Sequence, residues 1–429
     1  MTYIEAVRYI RETAAFGSKL GLDNIRTLMS LLGDPQESLR IIHIAGTNGK
    51  GSVAAYMLSV LEAGGYRTGF YTSPELIRFS ERIRIGREEI SDSDVAYYAV
   101  KVRDAAEYMS GHDMGRPSEF ELVLAMAFCY FSDKAVDAVI LEVGLGGRLD
   151  ATNVISSSML SVITKISFDH MQYLGDTLPL IAGEKAAIIK PGGRVIVYPA
   201  DKEILTVFED ECLRQGAELD IAELPSEKNA SLPGGQSFKL QGKDYRTKMA
   251  GLYETDNAAL SIQALKLLEK ELPFITEETI SRGIEAAEWP GRFEILEEEP
   301  YIIADGAHNE DGAKALAESL RGYFGDARLT LCMGILKDKQ YKEMLSHLLP
   351  LAGRVLACEV PNPRSLSADE LKKVIEDMSP EIPVKTAGSL KEASLMIKKL
   401  RHEAAATVIC GSLYLVGPMR EAVKTTLKS

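Results

Sequence analysis

The chain has 429 residues, enough for two or three domains, and 46% of its residues are apolar while 26% are charged. This composition is typical of soluble globular proteins and excludes a disordered or a fibrous chain. With 62 acidic against 49 basic residues, the formal net charge is -13, which argues against nucleic acid or an anionic membrane as the main partner. Any anionic substrate must therefore meet a locally basic site or bound metal ions.

Cysteine spacing and the N-terminus exclude several further classes. The five cysteines lie far apart and form no CxxC pair, so the sequence predicts neither a zinc ribbon nor a disulfide framework. Residues 1–16 carry charges between their apolar positions and lack the continuous apolar core of a signal peptide. No stretch approaches the roughly 18 uncharged apolar residues that span a bilayer. We therefore expect a cytoplasmic protein.

Short apolar strand patterns alternate with helical patterns along most of the chain. The strand patterns include IIHIA (41–45), AVILEV (138–143), MLSVIT (159–164) and RVIVY (194–198). This alternation predicts a mainly parallel sheet covered on both faces by helices. One helical pattern, 91–110, opens with a serine cap at Ser91. Residues Gln236–Ala250 differ, because they alternate and turn at Gly242, which predicts a β-hairpin insertion.

A domain boundary follows at WPGRFEILEEEP (289–300), which combines two prolines, a glycine and an acidic run. Beyond it the alternation of strands and helices restarts and continues for about 130 residues, a typical domain size. We predict an α/β protein of two domains. The larger, residues 1–293, is a P-loop-type domain with a mainly parallel sheet and the hairpin insertion. The smaller, residues 294–429, is a Rossmann-like α/β domain.

A glycine-rich stretch lies where the first strand pattern meets the first helical pattern. It consists of Gly46, Thr47, Asn48, Gly49, Lys50, Gly51 and Ser52. Glycines let backbone amides approach a phosphate at the positive end of the helix dipole, while Lys50 can bridge the outer phosphates and Ser52 can reach Mg²⁺. The strict GxxxxGK[ST] pattern fails, because position 44 is isoleucine and Gly51 separates Lys50 from Ser52. The order of strand, loop, lysine, hydroxyl and helix still favours a phosphate site over a glycine-rich turn with a solvated lysine.

The same loop carries a family resemblance. GTNGKGS (46–52), preceded by LGLDNIRTLMSLLGDPQ (20–36), resembles the folylpolyglutamate synthase/dihydrofolate synthase family of ATP-dependent Mur-type ligases. Further blocks in family order are YTSPELIRFSERIRI (71–85), SEFELVLAMAFCYF (118–131), LEVGLGGRLDATN (141–153), SFDHMQYLG (167–175), GEKAAIIKPG (183–192), PGRFE (290–294), DGAHN (305–309) and GSLYLVG (411–417). Together they cover essentially the whole chain. The segment 20–36 resembles the family's pterin-side region.

Two side chains at predicted strand ends are candidate metal ligands. Glu142 ends an apolar strand and is followed closely by three glycines. A carboxylate at the carboxyl end of a parallel strand lies where open α/β sheets bind ligands, and Mg²⁺ prefers carboxylate oxygens and substrate phosphates. His170 follows the next strand; alone it is more typical of a structural histidine, just as Glu142 alone could be a surface glutamate. The resemblance implies that Glu142, His170 and Ser73 hold magnesium ions, of which we expect two.

Lys185 lies in a predicted helix that begins near Leu178, where a solvated surface lysine is the ordinary outcome. The match of GEKAAIIKPG to the family implies instead that CO₂ is added to its amine. The resulting carbamate would turn a cation into an anionic oxygen ligand for the second metal ion. The catalytic residues that the resemblance implies are Lys50, Lys185 and His170.

Residues around the domain boundary are candidate nucleotide ligands. They are Asn257, Arg292, Asp305 and His308. Arg292 follows Pro290-Gly291, and a guanidinium can clamp a phosphate bidentately, although a linker arginine that binds nothing is the alternative. Asp305 and His308 follow a strand pattern, again at its carboxyl end. The resemblance implies that these four residues contact ATP, and we expect domain closure to complete the site.

Three positions depart from the family pattern. The family often has histidine after the SP motif, where this chain has Glu75. It commonly has HQ or YQ before the asparagine that contacts ATP, where this chain has Tyr253-Glu254. A carboxylate at Glu254 would repel nucleotide phosphates unless a metal ion or an arginine offsets it. Leu124 replaces a frequent threonine.

Together these features predict an ATP-dependent amide ligase. The γ-phosphoryl group of ATP would pass to a substrate carboxylate, and the amine of L-glutamate would then displace phosphate from the acyl phosphate. The acceptor would be a reduced folate or dihydropteroate. We expect only small-molecule partners, neither nucleic acid nor membrane, and a monomeric chain.

Other functions stay open at this point. A muramyl-peptide ligase shares the loop, the metal carboxylate and the two domains, but not the extra glycine of GTNGKGS or the start at 20–36. A non-catalytic ATP-binding regulatory protein is supported only by Glu75 and Glu254. A P-loop kinase or GTPase is weaker, because the loop departs from the strict pattern and no base-recognition motif is visible.

Overall fold

The computed structural model describes residues 1–13 and 21–428. Of the sequence segments discussed above, residues 14–16 and Leu20 lie outside the described part. The helices, in chain order, are α1 (Tyr3–Glu12), α2 (Asp23–Leu31), α3 (Lys50–Ala63), α4 (Asp92–Gly111), α5 (Glu119–Asp133), α6 (Met171–Leu174), α7 (Leu178–Ala186), α8 (Lys202–Gln215), α9 (Glu254–Lys266), α10 (Glu277–Ala286), α11 (Glu310–Phe324), α12 (Tyr341–Leu348), α13 (Ala368–Met378), α14 (Leu390–Leu400) and α15 (Leu413–Lys428). The serine cap is confirmed, because Ser91 Oγ accepts a hydrogen bond from Asp94 N at the start of α4.

The strands show the predicted α/β alternation. In chain order they are β1 (Ile41–Ala45), β2 (Thr68–Tyr71), β3 (Ile83–Ile85), β4 (Glu88–Glu89), β5 (Ala138–Glu142), β6 (Leu160–Ile163), β7 (Arg194–Val197), β8 (Glu218–Ile221), β9 (Ser226–Ser231), β10 (Gly235–Leu240), β11 (Lys243–Thr247), β12 (Glu294–Glu298), β13 (Tyr301–Ala304), β14 (Leu329–Met333), β15 (Ala352–Cys358), β16 (Val384–Ala387) and β17 (Ala406–Cys410).

Contacts divide the chain into two compact units. The first unit comprises Met1–Leu224 and Asn257–Ala286, and the second comprises Pro225–Asp256 and Ala287–Ser429. Helix α9 therefore has its first turn in the second unit and the rest of its length in the first.

The first unit is built on a sheet with the strand order β4-β3-β2-β5-β1-β6-β7-β8. Strands β2, β5, β1, β6, β7 and β8 run parallel, while β3 and β4 add an antiparallel edge. Every residue of β1 and of β5 is buried, as expected for central strands of a parallel sheet that is covered on both faces.

Helices bury both faces of this sheet. One hydrophobic core joins residues of α1, α2, α4 and α5, and another joins β6 and β7 to α7 and α8. Helix α3 is buried from Gly51 to Leu61, and α10 packs against it. Gly283 of α10 has no side chain, which lets the two helices approach closely. The helix that leaves the phosphate loop is thus held by packing along its length.

The second unit contains a six-stranded sheet with the order β12-β13-β17-β14-β15-β16. Its strands are parallel except β12, which pairs antiparallel with β13. Strands β14 and β17 are buried throughout, and helices α11, α12 and α13 contribute Leu316, Leu345 and Leu371 to the core. This arrangement is the smaller α/β sheet that the sequence predicts.

The predicted hairpin is present as β10 and β11, and β9 extends it to a three-stranded antiparallel sheet. By its contacts this sheet groups with the second unit, whereas the sequence pattern placed it inside the first domain. Ala250, just beyond it, lies in the hydrophobic core of the second unit and accepts a hydrogen bond from Tyr323 Oη at 2.6 Å. The boundary at residue 293 stays a prediction.

No helix in the described part of the chain combines the length and the apolar character that a membrane span requires.

Candidate active site

The predicted site residues of the first unit follow neighbouring strands of one sheet. Strands β2, β5, β1 and β6 are adjacent and parallel. Tyr71 of β2 lies beside Leu141 of β5, and Ile44 of β1 lies beside Glu142 of β5. The loops after these strands therefore emerge at the same edge of the sheet. They are 46–49, 72–75, 143–150 and 164–170.

The phosphate loop, residues 46–49, is fixed by the loop that follows β6. Thr47 N donates to Lys165 O at 2.9 Å, and Thr47 Oγ1 both donates to Ser167 O and accepts from Ser167 N. Thr164 Oγ1 donates to Asn48 O at 2.7 Å. These bonds fix the phosphate loop against the segment that follows β6.

Two glycines of the loop are required by close contacts. Gly46 has φ +147, and a Cβ placed on it would lie 1.8 Å from Thr164 Oγ1. Gly49, the N-cap of α3, has φ +89, and a Cβ there would lie 2.5 Å from Asn257 Oδ1. Both positions combine a left-handed backbone with a neighbour that leaves no room for a side chain.

The N-terminus of α3 has the chemistry of a phosphate site. Helix N-termini carry unsatisfied N–H groups and a partial positive charge, and within the described residues no side chain caps this one. Lys50 Nζ folds back to the carbonyl oxygens of Gly46 and Thr47, each at 3.1 Å. Gly51 and Ser52, the next residues of the predicted loop, are buried in the first turn.

Glu142 and Ser73 are brought together. The Glu142 side chain is almost fully buried, at 5% exposure, and Ser73 N donates to its Oε2 at 3.3 Å. A buried carboxylate is costly unless positive charge or hydrogen bonds offset it. Magnesium would supply that charge, and carboxylate and hydroxyl oxygens are ligands that this ion accepts.

His170 lies on the turn between β6 and the short helix α6. Its backbone is left-handed, with φ 51, and its amide donates to Asp169 Oδ1 at 2.8 Å. Its Nε2 lies 3.8 Å from the same oxygen. Among residues 1–13 and 21–428, no group of three or more His, Cys, Asp and Glu side chains is arranged to hold a metal ion. Serine does not count toward such a group, so the set of Glu142, Ser73 and His170 stays a prediction.

Lys185 does not lie at the surface, although it is a helical lysine. It is 3% exposed, and its Nζ donates to Gly46 O at 2.9 Å. Burial, assisted by the positive charge of Lys50, lowers the pKa of Lys185 from its ordinary value to about 7, while Asp169 opposes this change. The lowered pKa favours the neutral form of the amine, which is the nucleophilic form of a lysine.

The second unit places the other predicted residues on two adjacent turns. Gly306 N donates to Gly291 O at 2.8 Å, which links the turn of Arg292 to that of His308. His308 Nδ1 lies 2.8 Å from Gly306 O, so Nδ1 carries the proton in that contact. Asp305 is 2% exposed and accepts hydrogen bonds from Tyr253 Oη, Phe293 N and Ala307 N.

The residues that depart from the family pattern are an ion-paired glutamate and two fully buried side chains. Glu75 pairs with Arg11 at 3.3 Å and lies 3.9 Å from Arg82, which also pairs with Glu119 at 3.0 Å. Glu254 is fully buried at the start of α9. Leu124, on α5, is fully buried in the core of the first unit.

The sequence patterns missed residues that hold the site loops. Thr164 and Ser167, which bind the phosphate loop, follow a strand but belong to no charged or metal-binding pattern. Asp150 is buried, and it accepts hydrogen bonds from Leu145 N and Thr152 N, so it shapes the glycine loop after Glu142. Its only signal was membership of the block LEVGLGGRLDATN.

Similarity to known proteins agrees with this geometry. Residues 44–265 match the Mur ligase middle domain, and residues 291–413 match the glutamate ligase domain of Mur ligases. The chain is 37% identical to the dihydrofolate synthase/folylpolyglutamate synthase of Bacillus subtilis, over 98% of this chain and 99% of that protein.

Two solved structures extend the likeness to the whole fold. A folylpolyglutamate synthase of Mycobacterium tuberculosis, complexed with ADP and AMPPCP, superposes with a TM-score of 0.89 at 31% identity, over 100% of this chain and 99% of that one. A folylpolyglutamate synthase complex with AMPPCP and folate gives a TM-score of 0.81 at 31% identity, over 100% of both chains.

Fold, phosphate loop and glutamate ligase domain therefore define an ATP-dependent ligase of the Mur type. Within that class, the chain belongs to the folylpolyglutamate synthase/dihydrofolate synthase family. The resemblance drawn from the sequence blocks is confirmed.

Proposed function

We propose that this chain adds L-glutamate to the carboxylate of a reduced folate and to that of dihydropteroate, using ATP. The observation that carries the proposal is the convergence of Lys50, Lys185 and Glu142 on the edge of the sheet that presents the phosphate loop. The Bacillus subtilis relative has both activities in its name, which supports two acceptors.

In the proposed reaction the first step is phosphoryl transfer. The acceptor carboxylate attacks the γ-phosphorus of ATP, the bond to the β,γ-bridging oxygen breaks, and an acyl phosphate and ADP form. Lys50 and the N-terminus of α3 bind the phosphates and offset the charge that spreads over the transferring group. Gly46 and Gly49 allow the backbone amides to reach those oxygens.

The second step forms the amide bond. The amine of L-glutamate attacks the acyl carbon, a tetrahedral intermediate forms, and phosphate leaves while the nitrogen loses its proton. Glu142 and Ser73, with His170, would hold Mg²⁺, which supplies electrostatic stabilisation of the phosphate oxygens. Asn257, beside Gly49, is proposed to contact ATP. In the second unit, Arg292, Asp305 and His308 remain proposed nucleotide residues.

Lys185 is proposed to be carbamylated. The neutral amine attacks CO₂, a C–N bond forms, one proton is released, and the side chain becomes an anionic carbamate. The lowered pKa of Lys185 supports this, because only the neutral amine reacts. The carbamate oxygens would add a ligand for a second Mg²⁺ and remove the repulsion between Lys185 and Lys50.

Product formation tests the proposal. We expect ADP release from ATP to require both L-glutamate and either dihydropteroate or tetrahydrofolate, with a product heavier by one glutamyl residue in mass spectrometry. ADP release that is indifferent to both cosubstrates would overturn it. Turnover only with UDP-muramyl substrates would favour the muramyl-peptide ligase instead, and AMPPCP binding without any turnover would favour a regulatory protein.

A further inference from the structure

The turn that carries Arg292 has an unusual backbone. Within this turn, Pro290–Phe293, the residues on both sides of Arg292 are left-handed, with φ 75 at Gly291 and φ 43 at Phe293. The conformation suits glycine, but a bulky side chain such as that of Phe293 adopts it only when its surroundings impose it.

Two carboxylates accept hydrogen bonds from the backbone of the turn. Gly291 N donates to Glu294 Oε2 at 2.9 Å, and Arg420 Nε holds that carboxylate at 2.7 Å. Phe293 N donates to Asp305 Oδ2 at 2.9 Å. The left-handed conformation of Phe293 is therefore tied to the position of one buried oxygen atom.

Tyr253 determines where that oxygen lies. Its hydroxyl donates to the same Oδ2 at 2.6 Å, and the other oxygen of Asp305 accepts from Ala307 N at 2.8 Å. Burial, followed by the negative charge of Asp305, raises the pKa of Tyr253 well above its ordinary value, so the hydroxyl keeps its proton. The contact thus persists over the physiological pH range.

The Arg292 guanidinium lies across Gly306. A Cβ placed on Gly306 would be 2.0 Å from Arg292 Nη1. Arg292 Nη1 also donates to Gly291 O at 3.3 Å, and Gly306 N donates to that same oxygen. The guanidinium thus contacts both Gly306 and the backbone of its own turn. A rotation of the turn would therefore displace it.

We propose that Tyr253 is a positioning residue for nucleotide binding, which acts through Asp305 and the Pro290–Phe293 turn to place the guanidinium of Arg292. The inference rests on the proposed function only in taking Arg292 as a phosphate ligand. It gives Asp305 a second role, since both of its oxygens hold groups of the protein.

Calorimetric titration with AMPPCP and Mg²⁺ tests the inference on the full chain. We expect Tyr253→Phe to weaken AMPPCP binding about tenfold, the size of one lost positioning interaction. The matched control is Tyr323→Phe, which also removes a hydroxyl that donates over 2.6 Å within the second unit, to Ala250 O. It should change the affinity less than twofold. Melting temperatures of both variants show whether their folds are intact.

The decisive comparison uses Arg292→Gln as background. If Tyr253 acts through Arg292, Tyr253→Phe should cause no further loss of affinity in that background. Gly291→Ala, which strains the same turn at its left-handed residue without altering a proposed nucleotide contact, should also lose affinity only when Arg292 is present, and it replaces Tyr253→Phe if that variant does not fold. An equal loss in both backgrounds, or no loss in the single variant, would overturn the inference.

The outcomes separate this inference from the proposed function. The positioning role alone would be refuted if Arg292→Gln weakened AMPPCP binding and Tyr253→Phe did not. The ligase function alone would be refuted if the wild-type chain released no ADP with folate and glutamate while Tyr253 and Arg292 were coupled as expected. Arg292→Gln that binds AMPPCP like wild type would overturn the positioning role through its premise.

Discussion

The Nζ atom of Lys185 lies 2.9 Å from the carbonyl oxygen of Gly46, the first residue of the phosphate loop. A lysine from α7 thus reaches under the loop that follows β1, and it does so in a buried position beside a second lysine, Lys50. This arrangement is unfavourable for a charged amine, and the lowered pKa expresses that cost. It is favourable for an amine that must be neutral in order to react.

The pH dependence of stability should report the buried amine. The pKa of Lys185 is about 7 in the folded chain, against an ordinary value of 10.5, so the unfolded chain binds more protons between these pH values. Stability of the wild type relative to Lys185→Met should therefore rise with pH from about 7 to about 10.5, by on the order of a few kcal/mol. Denaturant unfolding in CO₂-free, Mg²⁺-free buffer measures this difference. A flat difference would show that Lys185 does not titrate as the geometry requires.

A side chain at Gly46 should damage the phosphate loop. Gly46→Ala places a methyl group against Thr164 Oγ1, in a left-handed backbone, so we expect AMPPCP affinity to fall at least tenfold and the melting temperature to drop. The control is Gly183→Ala in α7, where the nearest atom is 3.9 Å from the added Cβ. It should bind AMPPCP normally and melt no lower than wild type, because alanine favours helix. Equal behaviour of the two variants would contradict the close approach.

Loss of the Glu142 charge should appear in the magnesium dependence. Glu142→Gln keeps the shape of the side chain but removes the charge that would bind the ion, so the Mg²⁺ concentration for half-maximal ADP formation should rise at least tenfold. The control is Glu88→Gln, an exposed carboxylate in β4. An unchanged magnesium profile for Glu142→Gln would place the metal elsewhere.

Lys50→Gln should affect chemistry more than stability. Its Nζ donates to the carbonyl oxygens of Gly46 and Thr47 within the loop, and the proposed mechanism uses its charge to offset that of the transferring phosphoryl group. We expect kcat to fall about 10²-fold to 10³-fold, as when one transition-state donor is removed. Lys202→Gln, at the exposed start of α8, should leave kcat unchanged. A kcat for Lys50→Gln within threefold of wild type would remove Lys50 from the mechanism.

Glu75, a departure from the family pattern, should be structural rather than a mark of lost catalysis. It pairs with Arg11 at 3.3 Å, and the buried guanidinium of Arg82 lies 3.9 Å away. Glu75→Gln should therefore cost about 1 kcal/mol of stability, since Arg82 keeps Glu119, and ADP formation should stay within about threefold of wild type. Urea unfolding and the ADP assay check the two parts. Higher ligase activity of Glu75→Gln than of the wild type would support the alternative that this chain is a ligase that has lost activity.

The chemistry at strand ends was predictable from the sequence, because strand, loop and helix are local patterns. Glu142 ends one parallel strand, and Ser73 and Lys50 shortly follow the ends of two others, as the predicted parallel sheet requires. The packing of one segment on another was not predictable. No local pattern shows that Tyr253 reaches Asp305, which is 52 residues away, or that Lys185 is buried under Gly46. The burial of Ala250 in the core of the second unit was equally unpredictable, because it depends on packing against Tyr323 and other residues distant in the sequence.

The two units interrupt each other along the chain. Residues 225–256 belong to the second unit, yet residues 257–286 return to the first. On the ribosome, the three-stranded sheet is therefore synthesised before the core that it joins, and the first unit lacks α10 until residue 286 has emerged. A chain that stops at residue 224 would lack the partner that buries α3, and one that starts at residue 287 would lack Tyr253 and Ala250. No single cut in the chain therefore yields either unit whole.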